Sequence, residues 1–117
     1  MPLYIVEKKQ DDVLILDLRG RLTLGPETAE LRSRVNDLVE AGNRQIVLNL
    51  REVTYVDSSG LAALIACYTT VRKHDGNLKL AHLTTRIRDL LQITRLSTVF
   101  ENYTAVQDAV ASFRMAP

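Results

Sequence analysis

The strongest constraint on the fold is a near-continuous apolar run in the middle of the chain, Gln45-Ile46-Val47-Leu48-Asn49-Leu50. A strand that lacks regular alternation of polar and apolar residues is typical of a sheet covered on both faces. Such sheets are mostly parallel, with helices packed around them. The run therefore predicts an inner strand of an α/β fold.

Two short runs rich in apolar and β-branched residues open the chain, at 3–6 and 13–18, and the polar stretch 7–12 suits a hairpin connection between them. They predict two antiparallel strands. Residues 28–41 then carry the i, i+4, i+7, i+8 apolar stripe of an amphipathic helix, which Gly42 can end. The members of this stripe are Leu31, Val35, Leu38 and Val39.

The second half of the chain continues to alternate strands with helices. Residues 53–56 extend to a polar junction at 57–60, after which a second helical stripe runs to about 74–76. A strand is predicted at 78–82, then a third helix capped at Thr84-Thr85, and a fourth opened by a capping-box pattern, Thr104 with Gln107. The three stripes consist of Leu61, Leu64, Ile65, Tyr68 and Val71; of Ile87, Leu90 and Leu91; and of Val106, Ala109, Val110 and Phe113.

Strands that alternate with helices need crossover connections, which favour parallel pairing. The sequence therefore predicts one α/β domain over residues 1–117. Its small mixed sheet has mostly parallel inner strands, antiparallel edge strands from the first hairpin, and about four flanking helices. A chain of 117 residues has the usual size of one domain, and no repeat, low-complexity tract or long linker divides it.

The charge balance argues against nucleic acid as the main partner. Lys and Arg number 15 against 14 Asp and Glu, and the densest basic group, Arg86, Arg88 and Arg95, is typical of a solvated helix face. The single cysteine, Cys67, excludes an intramolecular disulfide, and its apolar surroundings favour a buried inert thiol. Because no secretory pattern and no membrane-spanning apolar run is found, we expect a cytoplasmic protein without membrane insertion.

The motif Asp57-Ser58-Ser59-Gly60-Leu61 stands where a strand passes into a helix. Asp57 is a good N-cap for that helix, and Gly60 permits a close approach of the backbone to neighbouring structure. A plain capped helix start therefore explains these residues on spacing alone.

A second interpretation starts from Ser58, whose hydroxyl would face solvent in the first turn of the helix. A phosphoserine carries about −1.5 to −2 charges, and the helix dipole favours an exposed anion there by roughly 0.3–1 kcal/mol. Phosphorylation should therefore leave the fold standing. Its cost should fall on a docked partner, where a dianion beside Asp57 meets desolvation and like charge.

The same residues resemble the central segment of the STAS-domain anti-sigma factor antagonists. The resemblance rests on Val47-Leu48-Asn49-Leu50, Val53-Thr54-Tyr55 and Asp57-Ser58-Ser59-Gly60-Leu61, in that order. It extends from the hairpin exit Leu18-Arg19-Gly20-Arg21-Leu22 to the final helix. It implies a small mixed sheet flanked by helices.

The resemblance also implies a partner switch controlled by phosphorylation. In that family the unmodified antagonist binds an anti-sigma factor that is also a serine kinase, and this frees the sigma factor. The kinase phosphorylates the first serine of the motif, here Ser58, which ejects the antagonist. A metal-dependent serine phosphatase then resets it. We expect no cofactor and no metal in the antagonist itself.

The partner-binding surface that the resemblance implies has eight residues: Thr54, Tyr55, Asp57, Ser58, Ser59, Gly60, Arg21 and Thr23. Within it Asp57 would shape the helix start, Ser59 would be a neighbouring contact and Gly60 would keep the turn compact. Family members often carry acidic or other polar residues after the hairpin glycine, whereas this chain reads Arg21-Leu22-Thr23-Leu24-Gly25-Pro26. We therefore expect either that this kinase-facing edge has a different specificity or that the partner belongs to another branch of the circuit.

Two other functions compete with the switch. An enzyme with Ser58 or Ser59 as nucleophile needs a base within hydrogen-bond reach, and neither His74 nor His82 is well placed for that in the predicted elements. No nucleophile elbow, Walker A or dinucleotide-binding glycine pattern occurs. A STAS module that acts as a scaffold in a stress-signalling assembly, or as a regulatory subunit of a lipid transport complex, stays open as the alternative.

Overall fold

The apolar run at 45–50 forms part of the middle strand of a five-stranded mixed sheet. The computed structural model describes residues 3–114. Its strands are β1 (Tyr4–Gln10), β2 (Val13–Leu22), β3 (Gln45–Val56), β4 (Asn77–Ala81) and β5 (Asn102–Tyr103). Its helices are α1 (Pro26–Glu40), α2 (Ser58–Lys73), α3 (Thr85–Ile93) and α4 (Val106–Arg114). The predicted α/β class and the mixed sheet with four helices are confirmed.

The strands lie side by side in sequence order, β1-β2-β3-β4-β5. Only β1 is antiparallel to its neighbour, whereas β2, β3, β4 and β5 pair in parallel. The prediction of antiparallel edge strands in the plural was therefore wrong, because β2 is an inner strand. The side chains of Ile46, Val47 and Leu48 are fully buried, as expected of a strand with both faces covered.

The first hairpin is longer than predicted. β1 continues to Gln10, and only Asp11 and Asp12 form the turn, both with positive φ (52° and 67°). Two residues in this conformation make the tight turn whose twist matches that of the flanking strands. The polar residues at 7–9 have the pattern of a loop although they belong to β1, because β1 is an edge strand whose residues are exposed or half-buried.

The central strand is also longer, since the segments predicted at 45–50 and 53–56 belong to one strand of 12 residues. β2 likewise runs on to Leu22. Its pairing with β3 shifts register between Asp17 and Arg19 and again between Gly20 and Arg21. Such irregularities bend a strand and re-aim its side chains. They bring Arg21 opposite Tyr55 and Leu22 opposite Val56 at the carboxyl end of the sheet.

The helices begin and end close to where the sequence placed them. Thr84 caps α3 by accepting a hydrogen bond from the Ile87 N–H at 3.3 Å. α1 ends where the Gly42 N–H donates to the Val39 carbonyl and Gly42 has φ of +105°, which confirms the predicted stop. The capping box at Thr104 was wrong: α4 begins at Val106, and the Gln107 amide pairs with the Gln10 amide instead.

The strand β5 was not predicted, so the chain order ends helix, strand, helix rather than with two successive helices. β5 has two residues and pairs in parallel with β4 through Leu80 and Ala81. A segment this short has no periodicity by which to recognise it.

Hydrophobic residues pack on both sides of the sheet. The larger cluster lies beneath α1, α2 and α3 and includes Leu31, Leu48, Leu64 and Leu91. The smaller cluster lies beneath α4 and consists of Val13, Ile15, Val47, Ala81, Ala109 and Val110. Since α1, α2 and α3 all follow parallel strands on one side, the amino ends of these helices collect at the carboxyl edge of the sheet.

Candidate functional site

The candidate site is the junction between β3 and α2, at the carboxyl edge of the sheet. Asp57 stands between them with an extended backbone (φ −100°, ψ −173°), and Ser58 is the first residue of α2. The predicted strand-to-helix junction is therefore confirmed. The end of β2 lies alongside, since the Asp57 N–H donates to the Leu22 carbonyl at 3.1 Å.

The Asp57 carboxylate ties two segments together. Its Oδ1 accepts from the Gly60 N–H at 2.8 Å, which is the N-cap bond, and its Oδ2 accepts from the Leu24 N–H at 2.9 Å. The bonds from the Leu24 and Gly60 backbone lower the pKa of Asp57 below its ordinary value of 3.8. The carboxylate is therefore charged at neutral pH, and it holds the loop after β2 against the start of α2.

Gly60 is buried against the backbone of β2. A Cβ built at this position would lie 2.0 Å from the Leu22 carbonyl oxygen and 2.9 Å from the Leu22 Cβ. No side chain larger than hydrogen fits there without a backbone shift. The predicted close approach at Gly60 is thus observed, and it is this contact that sets how near the start of α2 lies to the end of β2.

Ser58 is exposed, while Ser59 is half-buried. Ser58 occupies the first helical position, where the backbone N–H groups have no partner within the helix. An accessible hydroxyl in this position can be approached by an enzyme that modifies it. A phosphate added there would meet the positive end of the α2 dipole and the negative charge of Asp57, which act in opposite directions.

Beside the serines, two arginines lie over the Tyr55 ring. The Arg21 guanidinium carbon is 5.2 Å and the Arg86 guanidinium carbon is 5.7 Å from the ring centroid. Arg21 comes from β2 and Arg86 from α3, so three elements meet at this ring. We call these three residues the arginine–tyrosine stack. Thr54 is exposed nearby and donates its hydroxyl to the Gly20 carbonyl at 3.2 Å.

The residues predicted for partner binding lie along one edge of the structure. Arg21, Thr54, Tyr55 and Ser58 are exposed, whereas Thr23, Asp57 and Ser59 are half-buried. Gly60 is buried, so it shapes the junction and offers no surface of its own. That these residues bind a partner stays a prediction.

Two exposed residues of this edge were not predicted. Leu24 is 80% exposed, although its backbone is held by Asp57. Arg86 reaches Tyr55 from an element 30 residues farther along the chain. No pattern in the sequence indicates the contact of Leu24 with Asp57 or that of Arg86 with Tyr55, because each depends on how separate elements pack together.

Neither histidine lies beside the serines. His74 follows the last residue of α2, about 24 Å along the helix from Ser58 at 1.5 Å per residue. Its Nδ1–H donates to the Thr70 carbonyl oxygen, 2.9 Å away. His82 lines a pocket together with Arg51 and Arg88, and neither serine of the motif lines that pocket. Within residues 3–114 no cluster of three His, Cys, Asp or Glu side chains is arranged to hold a metal.

Cys67 lies in the interior, 1% exposed, and burial raises the pKa of its thiol to about 12. The prediction that this thiol is buried is confirmed. That the thiol is inert stays a prediction. Among the helices of residues 3–114, none is long and apolar enough to cross a membrane.

The fold and the junction together define a small single-domain α/β protein with an exposed serine at the start of its second helix. The STAS domain model matches residues 4–109, and the chain belongs to the STAS domain family.

Two named relatives agree with this assignment, and one solved structure shares the fold. BtrV of Bordetella bronchiseptica, named as a candidate anti-sigma factor antagonist, is 27% identical over 108 residues, which are 92% of this chain and 92% of that protein. The anti-sigma-B factor antagonist of Bacillus subtilis is 34% identical over 71 residues, 61% of this chain and 64% of that protein. The phosphorylated form of SpoIIAA, a Bacillus cell fate determinant, has a TM-score of 0.72 at 16% identity and covers 94% of this chain and 99% of that one.

Proposed function

We propose that this protein is an anti-sigma factor antagonist that works by a phosphorylation-controlled partner switch. The unmodified form binds an anti-sigma factor that is also a serine kinase, and the sigma factor is released. Phosphorylation of Ser58 ejects the antagonist, and a serine phosphatase resets it. The names of the relatives at 27% and 34% identity support the antagonist function.

The observation that carries the proposal is the exposed Ser58 at the first position of a capped helix. A kinase needs an accessible hydroxyl, and the cap holds this one at the edge of the sheet. The phosphate adds about −1.5 to −2 charges where Asp57 is already ionised. In the free protein this charge is solvated by water, whereas a partner that packs against the junction has to displace that water.

The effect of the phosphate is therefore confined to the interface with the partner. At the exposed helix start the dipole favours the phosphate by roughly 0.3–1 kcal/mol, so the fold keeps most of its stability. Removal of charged groups from water at an interface costs several kcal/mol unless the partner supplies matching charges. This difference is what makes the phosphate eject the partner without unfolding the protein.

The proposal makes the chain a substrate of a kinase and a phosphatase and not a catalyst. Ser58 has no histidine beside it in the described residues, and the cap uses Asp57 to accept backbone N–H groups. We expect no esterase, protease or nucleotidase turnover that scales with protein concentration. Turnover that survives repurification and is lost in Ser58→Ala would contradict this part of the proposal.

The test starts from a pull-down with unmodified and Ser58→Asp protein, in which every partner is identified by mass spectrometry. An anti-sigma kinase should be retained by the unmodified protein and lost by Ser58→Asp. Retention of a membrane permease or a large stress assembly in its place would point to the scaffold or transport alternative.

The captured kinase is then incubated with the protein and magnesium ATP, and the phosphate is mapped by peptide mass spectrometry. One phosphate is expected on Ser58. Ser59→Ala and Thr54→Ala are the matched controls and should still be modified, while Ser58→Ala should not. Phosphate found only on Ser59 or Thr54 would overturn the assignment.

A further inference from the structure

An apolar groove runs beside the junction, between the end of β3 and helix α3. It has a volume of about 550 Å³ and is lined by Tyr55, Val56, Arg86, Asp89, Leu90 and Ile93, among others. Ile93 is 79% exposed, and Tyr55 is 37% exposed. Exposed large apolar side chains that gather around one groove mark a binding site more often than scattered ones do.

Helix α3 has a buried face and, next to it, a second face that the core covers only in part, since Leu90 is half-buried and packs against the core. Ile87 and Leu91 are buried beneath the helix. Arg86, Leu90 and Ile93 follow the i, i+4, i+7 spacing of a second face, and all three line the groove. Among residues 3–114, no other element packs over this second face closely enough to bury Ile93.

The charge at the groove points to the chemistry of what fills it. Both guanidinium groups of the arginine–tyrosine stack lie at one end, and neither is within 4.0 Å of a carboxylate in the described part of the chain. Asp89 is the one acidic residue among those lining the groove. Two guanidinium groups without a carboxylate partner therefore lie over Tyr55 at this end of the groove, and they complement a carboxylate that arrives with apolar side chains.

The groove is continuous with the proposed switch surface. Tyr55 belongs to both, and Val56 precedes Ser58 by two residues. A partner that covers Ser58 and continues over Tyr55 reaches the groove without a gap.

From these observations we propose that the groove binds a segment of the anti-sigma factor that has apolar side chains and at least one carboxylate. The apolar side chains pack against Leu90 and Ile93, and the carboxylate pairs with Arg86 and Arg21. This inference rests on the proposed function and deepens it, because it makes α3 the second half of the docking surface. Specificity then depends on α3 as well as on the serine motif.

Calorimetric titration of the captured anti-sigma factor with purified variants tests the proposal. Ile93→Asn and Arg86→Glu should each weaken binding at least about tenfold, the size of loss typical of an interface residue that matters. Arg88→Glu is the matched control for charge, since it lies on the same helix but lines a different pocket, with His82. Val6→Asn on the edge strand β1 is the control for an exposed apolar residue, being 44% exposed. Both controls should bind within about twofold of the parent.

The salt dependence of binding gives a second measurement. Arg86→Glu should flatten the loss of affinity between low and high salt, because the charge pair that salt screens is gone, whereas Ile93→Asn should keep the slope of the parent. Thermal midpoints by circular dichroism should place all four variants near the parent.

Failure of this inference and failure of the proposed function give different results. If Ser58→Asp loses binding while Ile93→Asn and Arg86→Glu bind as the parent does, the switch stands and the groove proposal is overturned. If the unmodified protein binds no anti-sigma factor, the proposed function itself is overturned. If Ile93→Asn abolishes a self-association of the parent seen by sedimentation, the occupant is a second copy and the groove proposal is wrong.

Discussion

The contact between Gly60 and Leu22 allows a quantitative prediction for Gly60→Ala. The added Cβ would lie 2.0 Å from the Leu22 carbonyl oxygen, far inside ordinary contact distance, and the atom it meets is backbone that cannot rotate away. The start of α2 or the end of β2 has to move by more than about 1 Å, and a shift of that kind costs roughly 1–3 kcal/mol.

Two further effects modify this cost. The Leu22 carbonyl also accepts the Asp57 N–H at 3.1 Å, and loss of that bond adds about 1 kcal/mol. Alanine is a better helix former than glycine by up to about 1 kcal/mol, which offsets it. We therefore expect Gly60→Ala to lower the free energy of unfolding by about 1–3 kcal/mol, or the thermal midpoint by roughly 4–12 °C in a domain of this size.

The assay is urea and thermal unfolding followed by circular dichroism, with Gly42→Ala as the matched control. Gly42 has a φ of +105° and nothing within 4 Å of a built Cβ, so its substitution costs conformational strain alone, about 1 kcal/mol. If Gly60→Ala unfolds within about 2 °C of the parent, or costs less than Gly42→Ala, the contact with Leu22 does not constrain the start of α2.

Three further predictions concern other parts of the molecule. Because the pKa of Asp57 is lowered by its bonds to the Leu24 and Gly60 backbone, its contribution to stability is present above its unfolded pKa near 3.8 and is lost as the pH falls through the lower folded value. The difference in thermal midpoint between the parent and Asp57→Asn should therefore be full at pH 7 and should vanish in strong acid; a difference that grows in acid would contradict this. Lys79 is 5% exposed and donates to the Ser112 hydroxyl at 2.7 Å above the Phe113 ring, so Lys79→Met should stay within about 1 kcal/mol of the parent in urea unfolding, while Lys79→Ala, which leaves a cavity, should lose about 2–3 kcal/mol. Cys67, buried and with its thiol pKa raised to about 12, should resist labelling by a disulfide reagent at pH 8 until the protein is unfolded; fast labelling of the native protein would show that the site opens.

The sequence predicted those parts of the fold in which local pattern and burial agree. The apolar run at Ile46 to Leu48 identified a strand covered on both faces, and all three residues are fully buried. Asp57 and Thr84 were identified as helix caps because their side chains bond to the backbone three residues on, a contact set by local geometry alone.

Other features could not be predicted because they depend on distant parts of the chain. β5 pairs only through Leu80 and Ala81 of β4, and its two residues have no pattern of their own. The Tyr55 ring meets Arg86 only once α3 has packed against the sheet. The groove follows from the same packing, so the sequence indicated the serine motif and gave no sign of the surface beside it.

The proposed partner switch is tested most directly by the affinity of the anti-sigma factor for the protein before and after phosphorylation at Ser58. Both forms are titrated calorimetrically into the same partner, with thermal midpoints recorded for each. We predict that Ser58→Asp binds at least about tenfold more weakly than the unmodified protein, equivalent to about 1.4 kcal/mol, and that the phosphorylated protein loses more because its charge is larger. Ser58→Asp and the phosphorylated protein should both unfold near the temperature at which the unmodified protein unfolds. Equal affinity of the phosphorylated and unmodified forms would contradict the switch, and unfolding of Ser58→Asp would show that the charge acts on the fold instead of on the interface.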